Sequence, residues 1–288
     1  MKSKSKTQLQ LIQHNNRSLK HIPQQIKFHL SQYRRCNLGV EEYGTFRDKA
    51  YEHILPRSLL WLNLIETFRR EIRESLEESG IGLDLYFHHL NSSQAACLNL
   101  FWPLLNHPER DLILESLGIG PDNVVNWAFE KAIGQIGQTR CDLYLELESG
   151  ARTYIEVNYT GHGFGRSISD ERHRERLKNI FASALCKFVV SEYLESEKLF
   201  SYYQLRRILS DFVPERNDSV VFLFPRGHER VADKARNVLD AAIETSAVRS
   251  KILIRFLDDV VSDALACLAG EDHLLHTHLQ LYREKYFI

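Results

Sequence analysis

The chain has 288 residues, 43% of them hydrophobic, with 37 Lys and Arg against 38 Asp and Glu for a formal net charge of -1. That length can bury a sizeable core in one elaborated domain, and the balance lacks the basic excess that would by itself mark a nucleic-acid binder. The cysteines, Cys36, Cys97, Cys141, Cys186 and Cys267, are scattered without a CxxC pair, and no apolar stretch follows the charged start MKSKSKTQLQ; a cytoplasmic protein with no membrane partner is expected.

Residues 1–80 read as a mainly helical N-terminal region packed on the core, and 81–288 as the core itself. In the first region the run LLWLNLIETFRREIRESLEE sets Leu60, Leu64, Phe68 and Ile72 four apart, which predicts one helix with a single buried stripe ending at Gly80. Asn91 or Ser92 can cap a second helix through QAACLNLFWPLL, with Pro103 near its end. Pro121-Asp122-Asn123 reads as a start signal for a helix through VVNWAFEKAI, which carries Glu130, and Gly134 and Gly137 then release the chain.

The segment RCDLYLELESGARTYIEVNYTGHGFG, residues 140–165, reads as a β-hairpin. Cys141, Leu143, Leu145 and Leu147 alternate with Asp142, Tyr144, Glu146 and Glu148 on its first strand; Tyr154, Glu156 and Asn158 share a face on its second. A two-residue Ser149-Gly150 loop would set Asp142 against Val157 and mix the two patterns. A three-residue Glu148-Ser149-Gly150 loop, with Gly150 in the left-handed conformation, sets Asp142 across from Glu156 and Leu143 across from Ile155. Opposed carboxylates have Cβ atoms about 5 Å apart and repel unless a positive charge lies between them, and a hard cation such as Mg²⁺ suits that position.

Downstream, SISDERHRERLKNIFASALCKFVVSEYLES predicts a long amphipathic helix over 167–196. SVVFLFP predicts a strand buried on both faces, followed by a helix from about Glu229 to Ser246 and a last apolar strand, KILIRFL. The order is that of an α/β fold with a mixed central β-sheet flanked by helices.

Asp142, thirteen residues, then Glu156-Val157-Asn158 has the spacing of the PD-(D/E)XK nucleases. In order, HILPRSLLWLNL, FHHLNSSQAACLNLFWPLL, WAFEKA, TRCDLYLELESG, YIEVNYTGHGFG and VVFLFPRGHE resemble a group of bacterial restriction endonucleases in that superfamily, across roughly residues 45 to 230. The resemblance implies a restriction-endonuclease-like core and hydrolysis of DNA phosphodiester bonds with Mg²⁺ or Mn²⁺. Asp142 and Glu156 match the metal-binding acids, and Glu130 matches an acid on the preceding helix found in many members. It also implies DNA as partner, with a homodimer and a modification methyltransferase companion as further candidates.

Position 158 departs from the pattern, because Asn158 stands where the family has Lys. An amide can hydrogen-bond a water or a phosphate oxygen but can neither supply a cation nor accept a proton. Arg140, two residues before Asp142, is the better candidate for a replacement charge, and Lys131 is the other. A nuclease-fold protein that binds DNA with impaired catalysis is therefore the second reading. An ATP-grasp-type ligase is a third, because IEVNYTG after RCDLYLEL also resembles the metal-binding strands of that family.

Ser93 and Gln94 could contact phosphate at a helix start, where capping explains the serines nearly as well. His88-His89 and His276-x-His278 lack a third ligand nearby and read as structural histidines. Gly161, Gly163 and Gly165 fit a turn or a close phosphate approach, and Arg166, Arg172, Arg174, Arg176 and Lys178 fit a solvated helix face or a phosphate contact.

Overall fold

The computed structural model describes residues 22–133, 139–161, 186–187, 189–191, 209, 211–268 and 273–288. The expected basic segment Arg166–Lys178, the glycines at 134, 137, 163 and 165, and most of the helix expected over 167–196 lie outside these residues. Within that helix, Cys186 and Lys187 form a turn and Val189 makes an isolated bridge to Ile243, so it does not run unbroken to Ser196.

The described N-terminal elements are α1 (Ile22–Cys36), a hairpin of β1 (Gly44–Phe46) and β2 (Lys49–Tyr51), a 3-10 turn over Arg57–Asn63, and α2 (Arg69–Glu78). The hairpin was not legible in a stretch expected to be mainly helical. The single helix expected through Leu60 and Ile72 is broken, because buried Asn63 donates to the carbonyls of Phe87 (2.6 Å) and His89 (2.7 Å) and Ile65 N donates to Asn99 Oδ1 (2.8 Å). Those bonds draw the chain out of helical geometry at Leu64, which is extended. Leu64 and Ile72 are buried all the same.

Ser92 caps α3 (Ser93–Leu105) by accepting from Ala95 N, as expected, and α4 (Leu112–Leu117) follows, ending at Gly118 in the left-handed conformation. The chain then enters β3 (Val124–Ile133) rather than the expected helix. Val124, Val125, Trp127, Phe129 and Ile133 suit a pleated surface, but a bulge at Val124/Asn126 and a left-handed Glu130 (φ 50°) break the two-residue period that would have revealed a strand. The start signal serves the neighbouring turn instead: Asn123 O accepts from Glu148 N, and its side chain donates to Glu148.

After β3 come β4 (Thr139–Leu147), β5 (Arg152–Val157), β6 (Ser219–Phe224), α5 (Glu229–Ala242), α6 (Ser246–Arg249), β7 (Ile252–Phe256), α7 (Leu257–Cys267) and α8 (His273–Tyr286). One five-stranded sheet runs in the order β3-β4-β5-β6-β7, antiparallel through the first three strands and parallel through the last three. All six residues of β6 are buried, as its apolar run predicts.

Helices cover both faces. Leu143, Leu145, Ile155, Val221 and Leu223 pack in one cluster with α3, α7 and α8, and Ile26 and Leu30 of α1 belong to it. Tyr144, Tyr154, Val220 and Phe222 pack in the other with Ala232, Ala235 and Leu239 of α5. The fold is α/β, with a mixed central sheet consistent with a restriction-endonuclease-like core. Among the described residues no helix is long and apolar enough to cross a membrane.

Candidate active site

The β4–β5 turn sets the site. Gly150 N donates to Leu147 O and Leu147 N to Ala151 O, both at 2.9 Å, with Gly150 at φ 86°. This is the three-residue loop, and Leu143 pairs with Ile155. One step further along the ladder, Asp142 meets Glu156. Asp142 Oδ2 accepts from Val157 N at 2.7 Å, and the two carboxyls lie close enough to shift each other's titration.

On the other side of β4, Phe129 pairs with Leu143 and Lys131 with Cys141, which leaves Glu130 opposite Asp142. Three neighbouring strands thus bring one acid each to a single row, Glu130, Asp142, Glu156. Glu130 reaches it from a strand, not from the expected helix. Its left-handed backbone carries a strain of about 1–3 kcal/mol, and Gln94 Nε2 holds the carboxylate at 3.0 Å.

Gln94 lies buried in the first turn of α3 and ties three parts together. Besides Glu130, it donates to Gly82 O (3.2 Å) and its Oε1 accepts from Asp84 N (2.8 Å). Its amide is used in positioning protein groups. Ser93 Oγ likewise accepts from Tyr159 N at 3.1 Å, and Asn91 donates to Thr160 at 2.8 Å, so the start of α3 is fastened to the turn after β5. Asn158 begins that turn, with its backbone N bonded to Leu223 O. A Cβ on Gly161 would fall 2.5 Å from Asn158 Oδ1, so this turn needs glycine to seat the amide.

Asp84 is an acid that the sequence did not single out; GLDLYFHH gives no periodic or motif signal for it. It is exposed, yet its charge raises both Glu130 and Asp142. Arg140 is the cation of the group: it lowers Asp84 and Glu130, and its Nη1 would lie 3.8 Å from a Cβ on Gly82. Lys131 instead stands 5.6 Å from the Tyr144 ring.

Burial chiefly raises the acids. It pushes Glu130 up to about 8, with Asp142 and Asp84 adding to the shift. Burial and then Asp142 hold Glu156 well above the ordinary carboxyl range, while Asp142 is raised by burial and pulled back by Glu156 beside it. The two carboxyls titrate as a pair, and burial together with their mutual repulsion disfavours ionising both. Burial, then Asp142 and Glu130, also raise the Cys97 thiol on α3.

The donor set is hard oxygen, crowded and short of positive charge, which fits Mg²⁺ or Mn²⁺ better than a softer metal. Among the described residues no group of three or more His, Cys, Asp or Glu side chains is arranged to hold a metal ion. Asp142 and Glu156 are two, the usual protein contribution to a Mg²⁺ shell completed by water and phosphate. The histidines are structural. His88 and His89 pack edge-on at 4.6 Å within an aromatic cluster, and His278 Nε2 lies 2.6 Å from Asn99 O.

Residues 27–287 match the family described as restriction endonuclease associating with ARP, and the chain belongs to that family. This agrees with the restriction-endonuclease resemblance of the sequence. Neither a curated protein nor a solved structure matches the chain.

Proposed function

We propose that this member of the restriction endonuclease family is a divalent-metal-dependent nuclease that hydrolyses DNA phosphodiester bonds, with Asp142 and Glu156 as the metal-binding acids. The observation that carries this reading is the row Glu130, Asp142, Glu156, formed by three adjacent strands beside the start of α3. Asp142 and Glu156 would hold Mg²⁺ or Mn²⁺, and the chemistry that ion would supply when bound is charge stabilisation at the phosphate and a water of lowered pKa. Glu130, fixed by Gln94, lies beside Asp142 to hydrogen-bond that water, and Arg140 presents a permanent positive charge to phosphate oxygens.

Cleavage of plasmid DNA with Mg²⁺ or Mn²⁺, compared between the native chain and Asp142→Asn, tests the reading. Metal-dependent cleavage that falls by at least about 100-fold in the variant supports it; cleavage that survives in both Asp142→Asn and Glu156→Gln overturns it.

One observation favours a second reading. Asn158 holds the position of the motif lysine, and a chain that binds DNA without cutting it under either metal would be a nuclease-fold binding protein. The ligase reading is not carried forward, since it rested on the Glu156-Val157-Asn158 triplet and the family is one of restriction endonucleases.

A further inference from the structure

The β1–β2 hairpin and residues 84–89 display aromatic side chains at the surface. Tyr86 is 45% exposed and Tyr51 37%. They belong to one cluster: the Phe46 ring meets Tyr86 edge-on at 5.3 Å, His89 at 5.7 Å and Tyr51 at 6.4 Å. A lone two-stranded hairpin is marginal in water, and this one is held by those rings, by Gly44 N donating to Ile54 O, and by Leu55 N donating to His88 O.

The hairpin tip is strained. Arg47 and Asp48 both adopt left-handed backbones, at φ 49° and 60°, where a two-residue turn ordinarily takes Asn-Gly. Each costs of order 1 kcal/mol. What the strain presents is a cation over an aromatic ring, with the Arg47 guanidinium 5.1 Å from the Phe46 centroid. Arg57 reaches the 84–89 segment, donating to Leu85 O at 3.4 Å, and its charge adds to burial in lowering His88 and His89. Asp48 and Glu52 are exposed on the hairpin too, so ring faces, rather than excess charge, are what the surface offers.

The cluster adjoins the acids. Tyr86 is two residues from Asp84, at most about 7 Å of chain, and Asp84 N is bound by the same Gln94 that holds Glu130.

We propose that Tyr51 and Tyr86, held in place by Phe46 between them, form a stacking platform for unpaired nucleobases, and that the strand delivered to the acid row is single-stranded or locally opened DNA. Bases in a duplex are already stacked, whereas an unpaired base gains an aromatic face, and Arg47 and Arg57 meet its phosphates. The inference rests on the proposed nuclease reading for what happens to the strand, but its binding step does not need the metal.

The test is fluorescence anisotropy of the full chain in chelator, with a labelled single-stranded DNA, its duplex and RNA of the same sequence. The single strand is expected to bind at least about 10-fold more tightly than the duplex. Tyr51→Ala and Tyr86→Ala should each weaken it by about 10-fold, Tyr86→Phe should retain it, and Asp142→Asn should leave binding intact. Equal affinity for duplex, tighter binding of RNA, or unchanged single-strand binding in both alanine variants overturns the proposal. Loss of binding in both alanine variants, with Asp142→Asn still cleaving, supports the platform while removing the proposed catalytic acids. Loss of cleavage in Asp142→Asn with tyrosine-independent binding does the reverse.

Discussion

Asp142 and Glu156 face each other one step beyond the Leu143–Ile155 pair, two buried carboxyls too close for both to ionise without a cation between them. The metal-free pair therefore holds a proton, and a divalent cation must displace it. Calorimetric titration with Mn²⁺ near pH 7, in buffers of different ionisation enthalpy, should show release of about one proton per ion bound. Asp142→Asn should abolish both the binding and the release; binding without proton release would contradict the protonated pair.

Glu130 gives stability a pH dependence of defined sign. Its folded value of about 8 lies above that of an unfolded glutamate, so between these values the folded state holds more protons, and stability falls as pH rises. Buried His53 and His278 and half-buried His89, pushed down to about 4, act below pH 6.5 and with the opposite sign. Thermal unfolding of metal-free protein between pH 6.5 and 8.5 should therefore show a decline of about a few degrees, which Glu130→Gln reduces while the Asp142–Glu156 pair, raised in the same direction, keeps the remainder. Parallel curves for the two proteins would show that Glu130 is not protonated in the folded state.

Gln94 is predicted to matter through position. Gln94→Ala leaves Asp84 N and Glu130 without their partner in a part-buried setting, at a cost of about 1 kcal/mol. Chemical denaturation should show that loss, and cleavage should drop further than the remaining folded fraction explains. Unchanged stability with lost cleavage would make Gln94 a substrate contact instead.

Asn158→Lys puts a cation and a potential proton carrier where an amide stands. If the site is a nuclease with a weakened motif, single-turnover cleavage should rise by about 10-fold or more. An unchanged rate would indicate that Arg140 already supplies the charge that matters, and Arg140→Ala should then be the damaging change.

Much of this was legible in the sequence because it rested on short-range physics. Residues 148–150 could close the hairpin in one way that kept both faces consistent, which fixed Asp142 against Glu156. The unbroken apolar run of β6 could only belong inside a sheet. What escaped depended on distant partners. Glu130 sits at an irregularity in β3 stabilised by Gln94, 36 residues away in sequence, so its strand looked like a helix. Asp84 acquires its place through the same side chain, and the β1–β2 hairpin depends on ring contacts with residues 86–89 that no local pattern announces.

Anomalous diffraction from crystals of the chain grown with Mn²⁺ tests most directly whether Asp142 and Glu156 hold a cation. A peak bridging the two carboxylates, lost in Glu156→Gln, is the predicted result. A peak elsewhere in the molecule, with none at this pair, would contradict it.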